Sequence, residues 1–298
     1  MIKAEAVKAR LKNLSLSEGD TMQNKLTIYA LERAIYRMSI SEYSARFTLK
    51  GGIFLYALFD RQYARATTDI DLLAECIPND AEKMKEVFCD IFSIECDDAL
   101  RFDLDSLQVK HITEFKEYHG VNVFIYAYLD RTCIPISIDL GFGDVIYPDR
   151  AKMDFPVLLD MEEPKVYAYS VYSVIAEKFE AITSLGLANG RYKDFYDIYI
   201  LSKHFEFDGD KLREAIVETF MHRGTEFDDI AAFEDGFTLD PVRQKRWAAF
   251  VKKKKALEKV HFTEVMNRIK LFLIPVVDGI QNNLKFDLRW SSERGEWL

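Results

Sequence analysis

Phe47-Thr48-Leu49-Lys50-Gly51-Gly52-Ile53-Phe54, followed downstream by Thr67-Thr68-Asp69-Ile70-Asp71-Leu72-Leu73, decides how this chain folds. Phe47 to Lys50 carries β-forming residues, Gly51-Gly52 makes a turn that a side chain would obstruct, and Ile53 to Phe59 reads as the start of an apolar helix. The second segment alternates with period two. That puts Asp69 and Asp71 on one face of a strand and turns Ile70 and Leu72 toward a core. The order of strand, Gly-Gly turn, helix and Asp-x-Asp strand predicts a mixed α/β core.

The same residues suggest a chemistry. Backbone N–H groups at the start of a helix lack partners within it and carry the positive end of its dipole, so glycines there let an anionic phosphate come close. Gly51 and Gly52 are the candidate cradle for a triphosphate. Two carboxylates forced together raise one another's pKa and cost free energy unless a cation lies between them. Oxygen-only ligands of this kind suit Mg²⁺ or Mn²⁺. No Gly-Lys-Ser/Thr follows the glycines, so the turn is not a P-loop. Taken singly, a Gly-Gly pair is most often only a turn, and Asp-x-Asp near a strand end is most often a solvated loop edge. The ordered combination carries the reading.

A site with two metals commonly needs a further carboxylate. In Ile134-Pro135-Ile136-Ser137-Ile138-Asp139-Leu140 the aliphatic residues share one face and Ser137 and Asp139 the other, which makes Asp139 the preferred third acid. A plain strand end is the alternative reading of Asp139, and Asp130 and Asp144 are rival acids of similar local appearance.

Leu49-Lys50-Gly51-Gly52, Arg65 with Thr67, Asp69-Ile70-Asp71-Leu72, Glu177-Lys178 and Arg191-Tyr192-Lys193-Asp194-Phe195-Tyr196-Asp197 occur in an order that resembles the AbiEii-type nucleotidyltransferase toxins of the DNA polymerase β-like superfamily. The resemblance spans roughly residues 45 to 200. It implies an Mg²⁺-dependent enzyme that uses an NTP, neutralised by a cognate antitoxin, with some relatives modifying tRNA ends. Carried over by position, Gly51 and Gly52 match the glycine motif, Asp69 and Asp71 the metal-binding pair, Lys178 the lysine of the third block and Asp194 the acid of the fourth. One departure stands out. The superfamily pattern has Gly-Ser where this chain has Gly51-Gly52, so a hydroxyl contact to phosphate is missing and the backbone must supply it.

The later blocks also read physically. Val171 to Leu185 has helical spacing, with Ile175, Phe179 and Ile182 as its core stripe and Glu177 and Lys178 beside it. Lys178 is a candidate partner for NTP phosphates, against the bland reading of a solvated helix lysine. On the next helix, Lys193–Asp197 and Asp194–Asp197 have the spacing of intrahelical neighbours. The bland reading is a surface ion pair at Asp197; the functional one has Asp194 hold Lys178 or Arg191 for phosphate. Arg65 and Lys50 flank the candidate site and serve equally well as phosphate contacts or as supports of the strand ends.

With 298 residues, 49% of them hydrophobic, the chain is long enough for roughly two domains. The charged N-terminus lacks the apolar run of a secretion signal and Leu271 to Val277 is too short to span a bilayer, which predicts a cytoplasmic protein with no membrane partner. The four cysteines and five histidines show no zinc spacing, so the cysteines are expected to be reduced and structural. A net charge of −9 argues against broad nucleic-acid adhesion. Between Arg243 and Lys259, however, Arg243, Lys245, Arg246, Lys252 to Lys255 and Lys259 gather with Trp247 and Phe250. Such a segment suits RNA phosphates and a stacked base; a solvated helix is the simpler alternative.

The expected architecture is an α/β (α+β) nucleotidyltransferase core with a helical N-terminal segment over residues 1–165, then a mostly α-helical C-terminal domain over residues 166–298 that carries Lys178 and Asp194. Strands are expected at Val109–Ile112, Val121–Leu129 and Ile134–Leu140, and a linker at Met161-Glu162-Glu163-Pro164. The expected reaction moves a nucleotide from an NTP to RNA, a tRNA 3′ end among the candidates. Transfer to a small molecule or a protein hydroxyl is the second reading, and a non-catalytic nucleotide- or antitoxin-binding module is the third.

Overall fold

The structure, a computed structural model, describes residues 2–62, 67–112, 120–253 and 258–298. It divides into two compact units: Met1–Gly143 with Ala151–Tyr169, and Asp144–Arg150 with Ser170–Leu298.

The first unit runs α1 (Ala4–Ser17), α2 (Met22–Ile40), β1 (Phe47–Lys50), α3 (Gly51–Leu58), β2 (Ile70–Ala74), α4 (Ala81–Phe92), β3 (Leu100–Ile112), β4 (Gly120–Leu129), β5 (Thr132–Phe142), β6 (Ala151–Asp154) and β7 (Lys165–Ala168). Its strands form one mixed sheet in the order β3-β4-β5-β2-β1-β7-β6. In β4 the residues Val121, Val123, Ile125, Ala127 and Leu129 are all fully buried, as are Ile134, Ile136 and Ile138 in β5. α2 packs on β5 and β7, and α4 on β3 and β4, so these helices cover the apolar face. Each aliphatic side chain withdrawn from water there contributes roughly 1.5–3 kcal/mol. Strict alternation then leaves Asn122, Ser137 and Asp139 on the opposite, polar face. α2 starts where the Thr21 side chain accepts the N–H of Asn24. It buries Arg37, whose guanidinium grips both oxygens of Asp98 at 2.6 and 3.1 Å; this charged pair tolerates burial because its donors are met.

The chain crosses between the units at Gly143–Asp144, at Arg150–Ala151 and at Tyr169–Ser170. The stretch expected to be a linker belongs to the first unit. The carbonyl of Pro164 accepts the N–H of the fully buried Phe155, and Arg33 holds the carbonyl of Glu162. The following strand β7 pairs in parallel with β1. A proline and two acids look like a solvated connection locally, but the neighbouring strand claims them.

The second unit continues with α5 (Val171–Leu185), α6 (Tyr192–His204), β8 (Phe207–Asp208), α7 (Gly209–Arg223), α8 (Asp235–Leu239), α9 (Pro241–Lys253), α10 (Phe262–Gln281), β9 (Arg289–Ser291) and β10 (Glu296–Trp297). α5 begins where the Ser170 side chain accepts the N–H of Ser173, and buries Ile175, Phe179 and Ile182 against α6 and α7, as its periodicity predicts. A small antiparallel sheet, β10-β9-β8, closes over Trp290 and Phe272. The short segment Asp144–Arg150 is tied in by Tyr147, whose N–H donates to Ser173 Oγ at 2.9 Å and whose carbonyl accepts Ser170 Oγ at 2.7 Å.

The four cysteines are unbridged; Cys76 and Cys133 are exposed, and Cys89 and Cys96 are half-buried. Among the described residues no helix is long and apolar enough to cross a membrane.

Candidate active site

The polar face of the first sheet collects the acids. β2 and β5 are parallel neighbours in a register that sets Asp71 beside Asp139, and Asp69 lies one step before β2. One carboxylate oxygen from each of Asp69, Asp71 and Asp139 lies within 4.8 Å of the others, and all three residues are half-buried. Ile70 and Leu72 are buried on the other face, where Leu72 meets Ile35 and Met38 of α2. The rival acids are elsewhere. Asp130 occupies the β4–β5 turn with a positive φ of 55° and pairs with Lys8 at 3.3 Å. Asp144 belongs to the second unit and pairs with Arg223 at 3.0 Å.

Each acid is held by a neutral donor. The Thr68 N–H donates to Asp69 Oδ1 at 3.3 Å, with the hydroxyl of buried Thr67 at the same distance. The Gly52 N–H donates to Asp71 Oδ2 at 3.3 Å. The Asn122 amide donates to Asp139 Oδ1 at 2.6 Å. The glycine turn therefore wraps the Asp71 carboxylate. Gly51 stands at φ +66°, and a Cβ there would lie 1.9 Å from Asp71 Oδ2. Only glycine accepts both the backbone angle and the approach. Lys50 pairs across from Asp71 in the β1–β2 ladder, with its ammonium 5.2 Å from the centre of the Tyr169 ring. Arg65 lies outside the described residues.

The donor set fits a divalent cation. Three converging carboxylates offer oxygen ligands alone, the preference of Mg²⁺ or Mn²⁺, and a bound cation relieves the repulsion among them.

In the second unit, Lys178 of α5 lies between two acids of α6: its Nζ is 2.6 Å from Asp197 Oδ2 and 3.2 Å from Asp194 Oδ1. Arg191 Nε reaches Asp194 Oδ2 at 2.6 Å. Asp194 thus holds both cations. Burial disfavours its charge, but Lys178 and Arg191 outweigh that and keep the carboxyl below its usual range. The surface-pair reading of Asp197 is corrected. Asp197 is fully buried and faces Lys178 on the neighbouring helix, while Lys193 is exposed. Sequence spacing reports neighbours on one helix and is silent about the helix packed against it. Glu177 turns instead to Arg223, which also binds Glu180 and Asp144. Burial works against the Arg223 charge, and the three acids overcome it, holding the guanidinium protonated.

The basic segment is also corrected in part. Trp247 is buried, donates its indole N–H to the Val260 carbonyl at 2.8 Å and packs on Phe262, so it is a core residue and not a stacking platform. Arg243 is buried too, its guanidinium binding the carbonyls of Asn189 and Leu187. Lys245, Arg246, Lys252 and Lys259 are exposed. Lys254 and Lys255 lie outside the described residues.

Sequence reasoning missed Asn122. Its polarity amid alternating valines put it on the polar face, but only the β4–β5 register joins it to Asp139.

Two solved structures from Helicobacter pylori are similar to this chain. JHP933 is 14% identical, with a TM-score of 0.49 over 88% of this chain and 95% of that one. A candidate nucleotidyltransferase is 13% identical, with a TM-score of 0.48 over 86% and 96%. No curated protein matches the chain. The family model described as "Nucleotidyl transferase AbiEii toxin, Type IV TA system" matches residues 33–268, well beyond the motif-bearing stretch. With most of its length matched and the acids of the Asp-x-Asp motif gathered on one sheet face, the chain belongs to the AbiEii family of nucleotidyltransferase toxins of type IV toxin–antitoxin systems.

Proposed function

We propose that this toxin transfers a nucleotide from an NTP to RNA, with a tRNA 3′ end the foremost acceptor, and that a divalent cation is held by Asp69, Asp71 and Asp139. The observation that carries the reading is the β2–β5 register, which brings Asp139 beside Asp71 and leaves three carboxylate oxygens within 4.8 Å of one another. When bound there, Mg²⁺ or Mn²⁺ supplies positive charge for the phosphate oxygens and for the acceptor hydroxyl as it loses its proton. In the reaction the acceptor oxygen bonds to the α-phosphorus and the bond from that phosphorus to the bridging oxygen breaks, so pyrophosphate leaves with the electron pair.

The chain's own groups have separate parts. Gly51 leaves space beside Asp71 that a side chain would fill, and Lys50 and Gly52 flank the phosphates. Lys178, which matches the lysine of the family's third block and is held by Asp194 and Asp197, is the cation proposed for the NTP phosphates. The exposed Lys245, Arg246, Lys252 and Lys259 support an RNA acceptor through phosphate contacts. A cognate antitoxin is the expected protein partner, given the family's place in toxin–antitoxin systems, and the cytoplasm is where NTP and RNA meet.

The test is incubation of the purified protein with each labelled NTP, Mg²⁺ and total RNA, beside Asp71→Asn. Label entering RNA, with pyrophosphate released and both lost in the variant, is the expected result. Label on protein or on a small molecule would move the acceptor to the second reading, and nucleotide binding without pyrophosphate release would refute catalysis.

A further inference from the structure

We infer that Asn122 is the positioning residue of the third carboxylate, an inference that rests on the cation site proposed above. Asn122 of β4 stands directly across from Asp139 of β5. Its amide nitrogen is 2.6 Å from Asp139 Oδ1 and 2.8 Å from Ser137 Oγ. An ionised carboxylate only accepts, so the NH₂ end of the amide must face Asp139. Its two hydrogens serve Asp139 and Ser137 together, which fixes the amide plane and, through it, the rotation of the carboxylate.

The choice of an amide has an electrostatic consequence. An arginine or lysine at this place would also hold Asp139, but it would cancel one of the charges that a divalent cation needs. Asn122 anchors the carboxylate and leaves its charge intact. The hydrogen bond spans two paired strands whose opposite face is packed against helices, so the anchor is rigid before any ligand arrives.

The experiment measures Mn²⁺ binding to the full chain without nucleotide, by the loss of the free-ion signal in electron paramagnetic resonance, alongside melting of the metal-free protein. The variants are Asn122→Ala, Asn122→Thr and Asp139→Asn. Threonine suits a strand but is too short to reach across to Asp139. Both Asn122 variants are expected to bind Mn²⁺ about tenfold more weakly, the lower end of what loss of a ligand-orienting partner does, while metal-free melting stays at the wild-type value. Mn²⁺ affinity at the wild-type level in either folded variant overturns the inference. So does a weakening matched by an equal loss of metal-free stability in both, which is the mark of a merely structural residue. If wild type and Asp139→Asn bind Mn²⁺ alike, the cation site itself fails and the inference falls with it; wild-type binding lost in Asp139→Asn but kept in the Asn122 variants refutes Asn122 alone.

Discussion

Replacing Gly51 by alanine strikes the fold and the acid cluster together, and the two costs can be separated. The backbone at φ +66° is left-handed, which costs a residue with a Cβ roughly 1–2 kcal/mol. The new Cβ would also lie 1.9 Å from Asp71 Oδ2, 2.4 Å from its Cγ and 2.6 Å from its Cβ. Contacts that short force the Asp71 side chain out of its rotamer or the β1–β2 pair apart, a further 1–3 kcal/mol or so by analogy with overpacked cores. The sum is about 2–5 kcal/mol, and the displaced carboxylate should lower Mn²⁺ affinity as well. Gly19 supplies the control within the same unit: its φ is +64°, yet a Cβ there would meet nothing within 4 Å. Gly19→Ala should therefore cost the backbone part alone and leave Mn²⁺ binding untouched. Native-state hydrogen exchange reads the local stability of the β1 and β2 amides without assuming that both units unfold together. If Gly51→Ala lowers protection no more than Gly19→Ala does, and binds Mn²⁺ as wild type does, the collision with Asp71 is not real and the account of the turn is wrong.

Asp69→Asn and Asp71→Asn should each abolish nucleotide transfer, while metal-free melting holds or rises because carboxylate repulsion is relieved; full activity in either purified variant removes the proposed site. Asp197→Ala should destabilise the protein by about 1.5–3 kcal/mol, because it removes a buried, charge-assisted partner of Lys178 while Asp194 remains to compensate the ammonium; thermal melting unchanged from wild type would restore Asp197 to a surface role. Burial raises the Glu32 carboxyl to about 7 from 4.5, against the pull of neighbouring Arg33. Folding then takes up a proton between those values, so the contribution of Glu32 is complete below pH 4.5 and is lost as pH rises through 7. The loss is about 3 kcal/mol, since a tenfold change in proton affinity is worth roughly 1.4 kcal/mol. Glu32→Gln should flatten stability across that window, and equal slopes in urea titrations of the two proteins would contradict the assignment.

Local pattern carried much of this molecule. The run from Phe47 to Phe54 dictated a strand and a helix, because β-propensity and apolar spacing act within a few residues, but the glycines expected to form a separate turn are the first two residues of α3, with Gly51 at a positive φ. The stripe Ile175, Phe179 and Ile182 fixed which side of α5 is core for the same reason, and the alternation in β4 and β5 separated apolar from polar faces. The order of the motifs was enough to suggest the family. Tertiary structure alone decided what those faces meet. Asp139 took its place beside Asp71 because β5 is the parallel neighbour of β2, and pairing between distant strands leaves no mark in either strand's own sequence. The same holds for Asn122 against Asp139, for Asp197 turned inward to Lys178, and for Trp247, whose place in a basic run suggested a surface while its indole sits in the core. A sequence states which side of an element is apolar; only the packing of one element on another, a contact between residues far apart in the chain, settles which polar groups that side's opposite face will hold together.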